Sequence, residues 1–154
     1  MSDELEKLNE LTDFFKRMNS KIILLKLITM AKSEYDKYNF EESRRLLIEA
    51  YYKDKKNSAV LRGLGCINQF CGKYNSAIRY FNTALKYSDK KEVEYTLIGM
   101  VYYIQNKLDE AVKYFNFAID ENDNYEKAYE VRNQVILENH LKIIDLQESL
   151  KKRF

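Results

Sequence analysis

Apolar residues recur along this chain at spacings of three and four, and the stripes they form come in pairs. Leu61, Leu64 and Asn68 share one helical face, and Ala77, Phe81 and Ala84 share the next, with Gly72-Lys73 parting them. Tyr95, Ile98 and Tyr102 repeat the first stripe, and Ala111, Phe115 and Ala118 the second, around Asn106-Lys107. Earlier in the chain, Leu27, Met30 and Ala31 precede a Tyr38-Asn39 turn, and Leu46, Leu47 and Ala50 follow it. Each pair of stripes predicts two helices joined by a tight turn.

The pairs recur at a shift of 34 residues. Residues 58–91 set over 92–125 match at eight positions, among them Gly65 on Gly99, Ala77 on Ala111, Phe81 on Phe115 and Ala84 on Ala118. Chance would give roughly two. Residues 24–57 fit the frame more loosely through Ala31, Ser43, Leu47 and Ala50. The small residues let neighbouring helices approach closely, and Phe81, Phe115 and Leu47 fill the space between them. The chain divides into 1–23, three periods at 24–57, 58–91 and 92–125, and a remainder at 126–154.

At these residues the chain resembles the tetratricopeptide repeat family, whose 34-residue motif runs Leu-Gly, then Tyr, then Ala-x-x-x-Phe, then Ala. The second period supplies Leu64-Gly65, Ala77-x-x-x-Phe81 and Ala84; the third supplies Ile98-Gly99, Tyr102, Ala111-x-x-x-Phe115 and Ala118. The family's proline after each second helix is replaced by Lys55, Asp89 and Asp123. The resemblance implies an all-α fold, a right-handed superhelical solenoid of three helix-turn-helix repeats. The flanks complete it as capping helices. Leu5, Leu8, Leu11, Phe15 and Met18 line one side of residues 3–18, with Ser2 as N-cap, and Val135, Ile136, Leu141, Ile144 and Leu150 are placed to cover the last repeat.

Composition agrees. The 154 residues include four glycines and no proline, which argues against a many-turned β fold. With 45% hydrophobic and 32% charged residues the chain is globular, and its longest apolar runs, near Ile22–Leu25, are too short to cross a bilayer. The acidic N-terminus shows no targeting signal, so a cytoplasmic location is expected. A formal charge of +2 offers no case for nucleic-acid binding, and the acidic third period breaks any basic surface. Residues 58–91 carry six basic residues against one acidic, and residues 92–125 carry two against seven.

Candidate chemistry is sparse. His140 is the sole histidine, which is far short of a zinc site. Cys66 and Cys71 lie about 140° apart if they share one helix, so they cannot bond to each other. Cys66 has no evident base to activate it. Gly63-Leu64-Gly65 lies inside a helical pattern and lacks the rest of a phosphate loop. Glu41-Glu42 and Asp109-Glu110 suit helix N-termini. No enzyme activity, metal or cofactor is expected.

What remains is a second stripe on each first helix, which in the family lines the concave, ligand-binding face. Here it comprises Leu25, Ile28, Lys32, Tyr35 and Asp36; then Ala59, Arg62, Cys66, Gln69 and Phe70; then Val93, Thr96, Met100, Tyr103 and Ile104. Apolar residues on an open face call for something to cover them. Three occupants are available: residues 3–18 folding back, a second copy of the chain, or a segment of another protein. The last is the leading expectation, a peptide or amphipathic helix held in the groove of an adaptor or co-chaperone. The alternative is a small chaperone of the secretion type that shields apolar segments of an exported protein. The carboxylate clamp of some family members is not expected, because its places hold Ile28, Lys32, Gly63, Val93 and Leu97, of which only Lys32 is cationic.

Overall fold

A computed structural model describes residues 2–152, with the side chains of Ser2 and Asp3 outside the description. Among these residues the chain forms seven α-helices: α1 (Ser2–Asp36), α2 (Phe40–Lys53), α3 (Ser58–Phe70), α4 (Tyr74–Leu85), α5 (Lys91–Ile104), α6 (Leu108–Glu121) and α7 (Glu126–Lys151). Each helix packs against the next, and α1 also meets α3 as α5 meets α7. The odd-numbered helices therefore form one layer and the even-numbered helices a second. This is the helical solenoid that the family resemblance implies.

The period is visible in the backbone itself. Tyr38, Gly72 and Asn106 occupy equivalent places, and all three have positive φ, at 63°, 71° and 58°. Each ends a first helix with the same pair of backbone bonds. At Gly72 they are Gly72 N–H to the Gln69 carbonyl (3.0 Å) and Lys73 N–H to the Asn68 carbonyl (2.8 Å), which is a left-handed helix cap. Glycine takes this conformation at no steric cost and asparagine tolerates it, whereas tyrosine pays for it.

The connections between repeats also follow the period. Asp54 Oδ1 accepts from Lys56 N–H at 3.0 Å, Ser88 Oγ from Lys90 N–H at 3.1 Å, and Asn122 Oδ1 from Asn124 N–H at 3.1 Å. These short side-chain turns lie 34 residues apart. They stop the second helices where the family uses proline. Asn57 then caps α3 by accepting from Val60 N–H at 3.2 Å.

The core forms where small residues let rings in. Phe81 and Phe115 are wholly buried. An added Cβ at Gly65 would clash with the edge of the Phe81 ring, and one at Gly99 with the edge of the Phe115 ring. Ala77, Ala84, Ala111 and Ala118 are likewise fully buried. In the first repeat Leu47 replaces phenylalanine and packs with Leu27, Ala31, Ala50 and Leu64. Ser43 holds the place of Ala77, and its hydroxyl donates to the Ala31 carbonyl at 2.7 Å.

The flanks differ from the expectation. The predicted boundary at residue 23 does not exist as a break, because α1 runs through it for 35 residues, about 52 Å at 1.5 Å per residue. Nothing in Met18-Asn19-Ser20-Lys21-Ile22 interrupts a helix. Residues 4–23 are exposed throughout, so this segment neither caps the array nor folds back into its groove. The expected Ser2 cap lies outside the described side chains. At the other end α7 covers the last repeat with its first half only. Ala128 and Val135 are buried, whereas Ile136, Leu141, Ile144 and Leu150, expected to be covered, are exposed. The geometric reason is the same for both: a straight helix longer than the layer beneath it overshoots.

Candidate interaction surface

The residues of the expected groove stripe fall on α1, α3 and α5, the first three helices of one layer. At the centre of the layer, Arg62 of α3 donates from Nε (3.0 Å) and Nη2 (2.7 Å) to Oε1 of Glu94 on α5. Glu94 is completely buried. Its second oxygen accepts from Ser88 Oγ at 3.2 Å. Burying the carboxylate is tolerable because cation and hydroxyl satisfy it together. Arg62 is therefore a tie between repeats first and a surface group second, with 29% of its side chain exposed.

Cys66 sits one turn along α3 from Arg62. Burial pushes its thiol up to about 11, with Glu94 adding to the rise and Arg62 opposing it. It stays protonated at neutral pH, so it is no nucleophile. Cys71, the C-cap of α3, is the exposed cysteine.

The stripe does not assemble into one open apolar face. Ile28 and Tyr35 pack against the Leu27–Leu47 cluster, and burial raises the Tyr35 hydroxyl above its usual value. Thr96 is buried, with its hydroxyl donating to the Glu92 carbonyl at 2.8 Å. Met100 and Tyr103 pack on the Ala111–Phe115–Val135 cluster. The Tyr103 hydroxyl donates to Glu138 Oε2 of α7 at 2.7 Å, a bond that raises the tyrosine and lowers the carboxyl. Phe70 stands at the end of α3 and stacks on Phe40 at 4.0 Å between centroids; Phe40 in turn meets Tyr35 edge-on at 5.3 Å. Lys32, Phe70 and Ile104 are exposed, and Gln69 is half-buried.

The surface is thus a mixed one. It presents Lys32, the accessible part of Arg62, and Gln69, flanked by the apolar edges Phe70 and Ile104. Sequence reasoning missed Glu94, Glu138 and Phe40. Of these, Glu94 left a signal in the opposite charges of adjacent repeats, +5 in 58–91 and −5 in 92–125. The large exposed hydrophobics lie mainly on the outer ends of α1 and α7. Among the described residues no cluster of three or more His, Cys, Asp or Glu side chains is placed to hold a metal, and no helix is long and apolar enough to cross a membrane.

A layered stack of helical hairpins with this turn geometry defines a class of helical-repeat protein. A tetratricopeptide repeat profile matches residues 63–91 and 95–125, so these two stretches are tetratricopeptide repeats. No curated protein matches it in sequence. Solved structures share its fold at low identity. A Thermobaculum terrenum O-GlcNAc transferase aligns at 16% identity and a TM-score of 0.69 over 76% of this chain, which spans only 22% of that structure. The Yersinia enterocolitica type III secretion chaperone SycD, in complex with a peptide of the translocator YopD, aligns at 21% identity and a TM-score of 0.64, covering 81% of this chain and 94% of that one. The second tetratricopeptide domain of human RPAP3, in complex with an HSP70 peptide, aligns at 12% identity and a TM-score of 0.65, covering 75% and 97%.

Proposed function

We propose that this chain is a non-catalytic interaction module that holds a segment of another protein along the α1–α3–α5 layer, as an adaptor or co-chaperone does. The observation that carries the reading is the repetition of one helix face three times, which leaves Lys32, Gln69, Phe70 and Ile104 as exposed or half-buried groups on the layer that holds the Arg62–Glu94 tie. Such a surface offers cationic and amide donors to a peptide backbone or carboxylate, with apolar edges to hold side chains. Two of the solved structures named above carry peptides of partner proteins on the same fold.

A second reading is the secretion-type chaperone. Its support is length: the chain matches SycD over 94% of that protein, whereas it matches the transferase over 22%.

Site-specific photo-crosslinking in the organism's own cells tests both. A crosslinking amino acid at Lys32 or Gln69 is expected to trap a defined protein that one at Lys113, on the outer layer, does not. The same adducts from all three positions, or none from the first two, would overturn the proposal. One exported protein as the adduct selects the chaperone, and any other protein selects the adaptor.

A further inference from the structure

The repeat motif calls for a tyrosine late in each first helix, and the second repeat lacks it. In the third repeat Tyr102 holds that place. Its ring stacks on Tyr114 at 5.2 Å between centroids, and Phe117 meets Tyr114 edge-on at 5.7 Å. The same three places 34 residues earlier hold Asn68, Tyr80 and Thr83. Asn68 turns its amide back to the Leu64 carbonyl at 2.7 Å, and the Thr83 hydroxyl donates to the Arg79 carbonyl at 2.8 Å. Neither side chain replaces a ring. The second repeat is left with a cleft of about 430 Å³ between α2 and α4, lined by Asn68, Tyr80 and Thr83 together with residues of α2.

The cleft is cationic. Arg44 of α2, Lys73 before α4 and Arg79 within α4 all line it, and among the described residues no carboxylate does. Of the acids near Arg44 on α2, Glu42 and Glu49 are engaged by Arg45, and Glu41 does not line the cleft. Arg79 donates to Ser76 Oγ at 3.1 Å. Ser76 stands where the other repeats carry Glu42 and Glu110, so the second repeat has lost an acid here as well as a ring. Like charges gathered without a counter-charge repel one another, and an oxyanion between them removes that cost. Arginine forks suit phosphate oxygens, with which they make paired, charge-assisted hydrogen bonds. The rest of the wall is apolar, from Ile48, Leu64 and the Tyr80 ring. A bare phosphate would leave that wall uncovered, whereas an ester would lay its carbon part against it.

We propose that the cleft between α2 and α4 is a binding site for a phosphate monoester. Arg44, Lys73 and Arg79 hold the phosphate, and Ile48, Leu64 and Tyr80 receive the organic part. The site shares no residue with the groove and stands independently of the groove reading.

Amide resonances of the full chain, followed during titration, test it with three probes: inorganic phosphate, phenyl phosphate and a phosphotyrosine peptide. Each is expected to shift the Asn68 side-chain amide and the Ser76 backbone amide saturably, with phenyl phosphate binding several-fold more tightly than inorganic phosphate. A peptide that binds more tightly than phenyl phosphate places the source in a phosphorylated protein, and equal or weaker binding places it in a small phosphorylated molecule. Arg44→Gln and Arg79→Gln are each expected to weaken binding about tenfold, as loss of a charge-assisted hydrogen bond does. Asn68→Tyr with Thr83→Phe restores the rings of the third repeat. It is expected to abolish binding in a protein that melts no lower than the wild type. Absence of a saturable shift at these amides, binding indifferent to the two arginine variants, or binding retained by the filled variant would each overturn the proposal.

Discussion

Two phenylalanines separate the two halves of this molecule. Phe81 in α4 touches no solvent, while Phe15 in α1 is half exposed, although each belongs to a regular apolar stripe on an uninterrupted helix. The difference lies in what stands opposite. Phe81 faces Gly65, whose missing side chain leaves a space of the ring's shape, and Phe115 faces Gly99 in the same way. Phe15 has the adjacent Phe14 ring edge-on at 5.8 Å but no buried pocket to enter, and it stays half exposed. An apolar stripe therefore states that a helix has a partner but leaves open whether that partner lies within the same chain. The repeats find theirs on neighbouring helices, whereas residues 4–23 of the arm are exposed throughout.

The comparison can be broken most forcefully at the two rings. Phe81→Ala is expected to cost about 3–5 kcal/mol in denaturant unfolding of the array, because it opens a cavity that the stacked helices cannot close. Phe15→Ala, measured at a concentration where the chain is dispersed, is expected to change it by less than about 0.5 kcal/mol. Next comes the space itself. Gly65→Ala is expected to cost roughly 1–3 kcal/mol despite alanine's better helix propensity, because the new Cβ meets the enclosed Phe81 ring. The turns give a smaller effect of opposite sign. Tyr38→Gly is expected to stabilise the protein by roughly 0.5–1 kcal/mol by removing a left-handed tyrosine, and Asn106→Gly by less.

The smallest effect concerns the cysteines. At mildly alkaline pH an alkylating reagent is expected to label Cys71 in the folded protein and to leave Cys66 until unfolding, read by mass. Because folding raises the Cys66 thiol from its usual 9.0 to about 11, its contribution to stability is whole below pH 9 and is lost as pH rises from 9 towards 11. Cys66→Ala is expected to remove that part of the alkaline loss.

The repeats were legible in the sequence because their constraints are local and recur. Gly65 with Phe81, Gly99 with Phe115, and the turns at 38, 72 and 106 lie at fixed offsets, so one period explains the next. The missing prolines were legible as an absence, but their replacement was not. That Asp54, Ser88 and Asn122 close the connections depends on which neighbouring amide each side chain reaches. The arm was legible as a helix and misplaced as a cap, since periodicity does not say where a helix stops packing. The candidate surface was less legible still. Its positions follow from the period, but Phe70 turns to Phe40, Tyr103 to Glu138 and Arg62 to Glu94. Such pairings depend on side chains of other helices, which no stripe encodes.

Hydrogen exchange at several protein concentrations tests the contrast between array and arm most directly. Amides of α3 to α6 are expected to exchange slowly and equally at every concentration, because their partners are in the same chain. Amides of residues 8–23 are expected to exchange many-fold faster, because no other helix of the chain covers them. Protection of residues 8–23 as strong as that of α4 and unchanged by dilution would contradict the account.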